Sequence, residues 1–218
     1  MDANATEEQQ IEALKKWWKE NGTSIITGLL LGLAILFGAK SWFAYQERTA
    51  ENASNIYTSL MSALSNGDHM DVTQKAGMLI ADYSGTPYAS LAALAVARVK
   101  LEQDELEAAR AQLQWAMDNA GSDVIRETAR LRLVRVLIAE GNYADAETLI
   151  NEAGASGAFE PLYRELHGDI LLAQGDVASA RAEYEHALAA MKPDMPERQL
   201  VQLKYDSTAM PVAGGVGE

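Results

Sequence analysis

The sequence predicts an all-α protein: one N-terminal transmembrane helix followed by a solenoid of helical hairpins. Three observations carry this. An uncharged apolar run extends from Asn21 to Ala39, Ala-rich amphipathic runs fill most of the remainder, and short Gly, Asp or Pro breaks recur among them at a period of 34 to 37 residues. The chain has 218 residues and a formal net charge of −13, enough for one domain beyond the apolar run and too little for a large multidomain enzyme. It has no Cys, which excludes disulfides, thiolate metal ligands, a Cys nucleophile and the lipid-bearing Cys of a lipoprotein. Net negative charge repels phosphate backbones, so nucleic acid is not an expected partner.

The first element is the membrane anchor. Nine Leu, Ile or Phe residues lie between Ile25 and Phe37. At about 1.5 Å per residue the uncharged run covers roughly 28 Å as a helix, close to the hydrocarbon thickness of a bilayer. Those nine side chains favour insertion by roughly 3–5 kcal/mol, from which Ser24, Thr27 and three glycines subtract a part. Trp17 and Trp18 precede the run, and Trp42 and Tyr45 follow it, as two interfacial belts would. A cleavable signal peptide would have a shorter apolar region ending in small residues, whereas Phe37-Gly38-Ala39 and Trp42-Phe43-Ala44 place large aromatics there.

Lys15, Lys16 and Lys19 before the span, against Lys40 and Arg48 after it, favour a cytoplasmic N-terminus and a bulk domain across the membrane. Gly28 and Gly32 form a small-xxx-small pair, a candidate surface for packing another membrane helix. Ahead of the span, Ile11, Leu14, Trp17 and Trp18 alternate with charged residues as in a short interfacial helix. The expected organisation is a head with that helix (1–20), an anchor with its interface (21–45), a repeat domain (46–209) and a Gly-rich disordered tail (210–218).

Residues 49–218 hold 25 acidic and 13 basic residues, so nearly all the net charge lies beyond the anchor. Leu106, Ala109, Leu113, Ala116 and Met117 make a single apolar stripe. Leu131, Leu133, Val134, Val136, Leu137 and Ile138 are apolar nearly all round and require a helix covered on several sides. Leu106, Tyr143 and Val177 stand at spacings of 37 and 34, and Ala109, Ala146 and Ala180 repeat that spacing, as do Ala116, Ala153 and Ala187. Breaks at Gln103-Asp104, Gly141-Asn142 and Gly175-Asp176 close the first helix of each pair, with Gly67-Asp68 as an earlier member. Pro87, Pro161 and Pro193 separate pairs, where helices must stop. Past Pro193, Leu200, Val201, Leu203 and Tyr205 suit a last helix that caps the stack.

The period resembles the tetratricopeptide repeat, most closely where Gly168, Gly175-Asp176, Ala180, Tyr184, Ala187 and Pro193 fall near that motif's positions. His167 departs from it, at a position usually Leu, and reads as a packed core histidine. The whole chain except the tail resembles the YfgM-type ancillary subunits of the bacterial SecYEG translocon. The likeness rests on the acidic head with Lys15-Lys16-Trp17-Trp18-Lys19, the anchor, Trp42-Phe43-Ala44-Tyr45-Gln46, the stretch Leu79 to Ala89, and the repeats after it. It implies an inner-membrane protein with a periplasmic repeat domain, associated with SecYEG and the PpiD chaperone, handling newly translocated and unfolded client proteins.

No reaction chemistry can be assembled. His69, His167 and His186 lack metal-ligand spacing, and no nucleophile elbow, phosphate loop or dinucleotide fingerprint occurs. No enzyme activity, cofactor or metal is expected. Arg98, Arg135 and Asp169 share one register on the first helix of successive units, which in a right-handed stack lines the inner surface. That makes them the candidate protein-binding groove, two guanidinium groups facing a peptide carboxylate or carbonyl. The resulting expectation is an anchored, non-catalytic adaptor in contact with lipid through its anchor. A cell-envelope scaffold of division or wall synthesis on the same fold is the alternative.

Overall fold

The apolar run and both its flanks lie in one uninterrupted helix, α1, Glu7–Ser65. In this computed structural model residues 7–154 and 157–209 are described; the tail expected at 210–218 lies outside them. The chain divides into two compact units after Asn52. The first consists of the N-terminal part of α1, with an 18-residue window of mean hydropathy 2.0, long and apolar enough to cross a membrane. Its large side chains, Leu29, Leu31, Ile35 and Phe37 among them, are exposed, as a lipid-facing helix requires. Thr27 donates its hydroxyl to the Thr23 carbonyl at 2.8 Å, which removes most of the cost of a hydroxyl in hydrocarbon. Nothing lies within 4 Å of a Cβ added at Gly28 or Gly32, so the small-residue face is open. From Glu7 onward the head, expected as a short interfacial helix, is continuous with the span.

The second unit is built from the end of α1 and from α2 (His69–Asp82), α3 (Pro87–Glu102), α4 (Leu106–Asp118), α5 (Asp123–Ala139), α6 (Tyr143–Ala153), α7 (Glu160–Ala173), α8 (Val177–Ala190) and α9 (Arg198–Ser207). The repeat register sets these boundaries: Leu106, Tyr143 and Val177 are the first residues of α4, α6 and α8. Each hairpin turn closes with the same long backbone bond. Asp68, Glu105, Asn142 and Asp176 donate to the carbonyls of Ala63, Lys100, Leu137 and Leu171, each five residues earlier. That bond needs a left-handed residue just after the helix, supplied by Gly67 (φ 72°), Asp104 (φ 58°), Gly141 (φ 75°) and Gly175 (φ 87°). Gly67 therefore opens the series, and the hairpin it closes pairs the end of α1 with α2. Asp68 and Asp176 then accept from the Asp71 and Ser179 amides at 3.0 Å, starting α2 and α8.

Small residues let the paired helices approach. Along α3, Ala89, Ala92, Ala93, Ala95 and Ala97 are all buried. On α7, a Cβ at Gly168 would lie 2.6 Å from Tyr184 Cε1, so the α7–α8 pair is closed by ring against backbone. On α5, Leu131, Leu133, Val134, Val136 and Leu137 are buried among α3, α4, α6 and α7 side chains, the middle position that the all-round apolar pattern demands. Each such fully buried aliphatic side chain contributes about 1.5–3 kcal/mol over its exposed state. Val201 of α9 is buried against Ala180, Tyr184, Ala187 and Leu188 of α8, covering the last hairpin as a cap.

Candidate protein-binding face

The first helices of successive hairpins, α3, α5, α7 and finally α9, carry the register residues Arg98, Arg135, Asp169 and Lys204. The structure brings Arg135 and Asp169 into one polar network but leaves Arg98 outside it. At its centre is Glu165, one turn before Asp169 on α7 and 1% exposed. Glu165 accepts from Lys204 Nζ at 2.7 Å and from an Arg135 terminal nitrogen at 3.4 Å. Lys204 also reaches both Asp169 oxygens, at 2.7 and 2.6 Å, and Asp169 accepts the Tyr184 hydroxyl at 2.8 Å. A buried carboxylate is costly unless paired, and here two cations from neighbouring helices pair it. Burial and the Asp169 carboxylate both push the Tyr184 phenol upward, so it stays a neutral donor.

Asp169 is therefore paired with Lys204 and Tyr184, with its side chain 22% exposed. Arg135 is divided between Glu165 and solvent, with its side chain 46% exposed. Arg98, 65% exposed, donates only its Nε to Glu102 at 2.8 Å, one turn along α3. Glu102 also lies 3.4 Å from His69, and the Arg98 hydrogen bond is the first cause that lowers its pKa.

Three residues that register reasoning left out complete the face. Lys204 stands 35 residues after Asp169, and Glu165 stands four before it, so both follow from the same spacing. Arg132 stands three before Arg135, on one α5 face. It is exposed and makes no ion pair or hydrogen bond among the described residues. Crowding by its surroundings first, then the charges of Arg135 and Arg98, hold its pKa below the usual arginine range. The half-buried Tyr57, from the end of α1, lies within electrostatic range of it. Tyr57 in turn packs against Tyr88 of α3, ring centroids 5.6 Å apart.

The reading of His167 as a core residue is overturned. Its side chain is 40% exposed, with Nδ1 3.6 Å from Glu183, on the rim of a cleft shared with Arg164 and Tyr163. Gly168 beside it lets Tyr184 fill the core at that level, so no apolar residue is needed at 167. No group of three metal-ligating side chains occurs among the described residues.

A tetratricopeptide repeat-like domain model matches residues 15–210, anchor and hairpins together. The chain is similar to the "Ancillary SecYEG translocon subunit" of Haemophilus influenzae (strain ATCC 51907 / DSM 11121 / KW20 / Rd), 30% identical over 92% of this chain and 97% of the relative. The proteins of the same name from Escherichia coli (strain K12) and Neisseria gonorrhoeae (strain ATCC 700825 / FA 1090) are 29% and 27% identical, covering 96% and 95% of this chain and 100% and 99% of theirs. An end-to-end match of this kind, through the apolar span and every hairpin turn, assigns the chain to the family of tetratricopeptide repeat-like ancillary SecYEG translocon subunits.

Proposed function

We propose that this protein is a single-pass inner-membrane adaptor ancillary to a SecYEG translocon. Its repeat unit works in the periplasm with the PpiD chaperone on newly translocated proteins, and its N-terminus is cytoplasmic. The observation that carries the reading is the full-length correspondence with relatives bearing the translocon name, anchor included. Further support comes from the stack itself. Arg135, Glu165 and Lys204 pair across α5, α7 and α9, which holds successive helices in register as a repeat stack that presents a surface to partners requires. The partner-facing residues in this proposal are Arg98 and Arg135, joined by Arg132, with Asp169 serving to hold α9. Gly28 and Gly32 are the face for a neighbouring membrane helix.

Photocrosslinking from α3 and α5 positions in native membranes, followed by mass spectrometry, tests this. Translocon and chaperone peptides are the expected yield, whereas recovery of wall-synthesis proteins alone would sink the translocon role. A reporter active only outside the cytosol, fused after Glu218, is expected to be active; silence there would reverse the orientation.

A further inference from the structure

Along the inner helices charge is balanced from α5 to α9, where Arg135, Glu165, Lys204 and Asp169 alternate in sign. The balance fails one step earlier. Arg132 of α5 lies within electrostatic range of both Arg135, one turn along its own helix, and Arg98 of α3. Glu102 accepts only from the Nε edge of Arg98 and is shared with His69, and Glu165 reaches only Arg135, at 3.4 Å. Arg132 makes no hydrogen bond or ion pair among the described residues and has only Tyr57 within electrostatic range as a counter-partner, although the chain beyond the anchor holds 25 acidic residues against 13 basic. In a domain so rich in carboxylates, like-charged guanidinium groups left together on an exposed face keep a position that an internal Glu or Asp could have filled. The three side chains are exposed and a guanidinium fork suits a carboxylate, while Tyr57, paired with Tyr88, supplies an apolar surface near Arg132.

We infer that the face formed by Arg98, Arg132 and Arg135 beside Tyr57 docks a carboxylate-bearing segment of a partner protein, one that supplies to α3 and α5 the charge Glu165 and Asp169 supply to α5 and α9. The inference deepens the adaptor reading and rests on it. A peptide fits better than an anionic bilayer. The domain's net negative charge repels a charged lipid surface as a whole, while a short acidic segment can enter the local positive field.

The test uses the full chain in neutral detergent micelles and a fluorescein-labelled Gly/Ser-framed peptide carrying four glutamates, with its glutamine twin as control. The glutamate peptide is expected to bind about tenfold tighter than the twin, to lose about tenfold in the Arg98→Gln/Arg132→Gln variant, and to weaken at high salt. Arg132→Lys, which keeps the charge, is expected to retain part of the affinity, and circular dichroism verifies that each variant is folded. Equal affinity for the two peptides, or full binding by the double variant, overturns the inference. So does arginine-dependent binding of dihexanoylphosphatidylglycerol without peptide binding, which would make the site a headgroup site. Translocon crosslinking is scored separately on the wild-type chain. Intact crosslinking with no peptide binding removes only the acidic-segment proposal, and absent crosslinking removes the adaptor reading itself.

Discussion

Lys204 Nζ lies 2.7 Å from the buried carboxylate of Glu165, so the last helix neutralises a charge set 39 residues earlier in the chain. Truncation of the lysine leaves Glu165 with Arg135 alone, at 3.4 Å. Lys204→Met is expected to cost about 3 kcal/mol in urea unfolding followed by tryptophan fluorescence. Adding Glu165→Gln to that variant should return part of the loss. A single-variant effect below about 0.5 kcal/mol would mean that the buried charge is compensated elsewhere.

At Gly168 the limit is steric. An alanine methyl would meet the Tyr184 ring at 2.6 Å, and that ring is wholly buried with its hydroxyl tied to Asp169. Gly168→Ala is expected to destabilise by about 1–3 kcal/mol. Each kcal/mol should lower the melting temperature by about 2–4 °C for a domain of this size. Melting unchanged within error would show that the ring can retreat freely.

The four hairpin turns provide a matched set. Gly141 and Gly175 hold left-handed backbone that an L side chain resists, so Gly141→Ala and Gly175→Ala should each lose about 1 kcal/mol. Asp104 already stands in that conformation at φ 58°, and Asp104→Gly should be neutral or stabilising. Chemical denaturation of the three variants side by side decides it; a destabilised Asp104→Gly would contradict the shared turn geometry.

Tyr184 makes an alkaline prediction. Burial and the Asp169 carboxylate raise its pKa above the ordinary 10.0, so the folded chain holds the phenolic proton more tightly than the unfolded chain. This contribution is complete below pH 10 and is lost as pH rises beyond it, because only the unfolded state ionises readily there. Tyr184→Phe should flatten the decline in unfolding free energy above pH 10. A decline of the same slope in both proteins would place its origin at other groups.

The anchor, the all-helical class and the hairpin spacing were legible because each is a one-dimensional pattern. Hydrophobic runs report burial or lipid, and Leu106, Tyr143 and Val177 at helix starts report a repeated fold. The polar network around the candidate groove was half legible. Register placed Arg135 and Asp169 on facing helices, but which charges neutralise one another depends on side-chain reach across α5, α7 and α9, and Glu165 and Lys204 decide that. His167 misled because a repeat position fixes the backbone's place in the stack, whereas filling it depends on Tyr184 closing over Gly168.

The pairing of a mid-domain carboxylate with a lysine of α9 makes the hairpins before that helix incomplete without it. A product ending before residue 204 has the Glu165 carboxyl in its interior without its lysine partner, and its α7–α8 hairpin stays uncovered. Premature termination therefore yields a chain with a frayed end, open to proteolysis, and not a shorter stable stack.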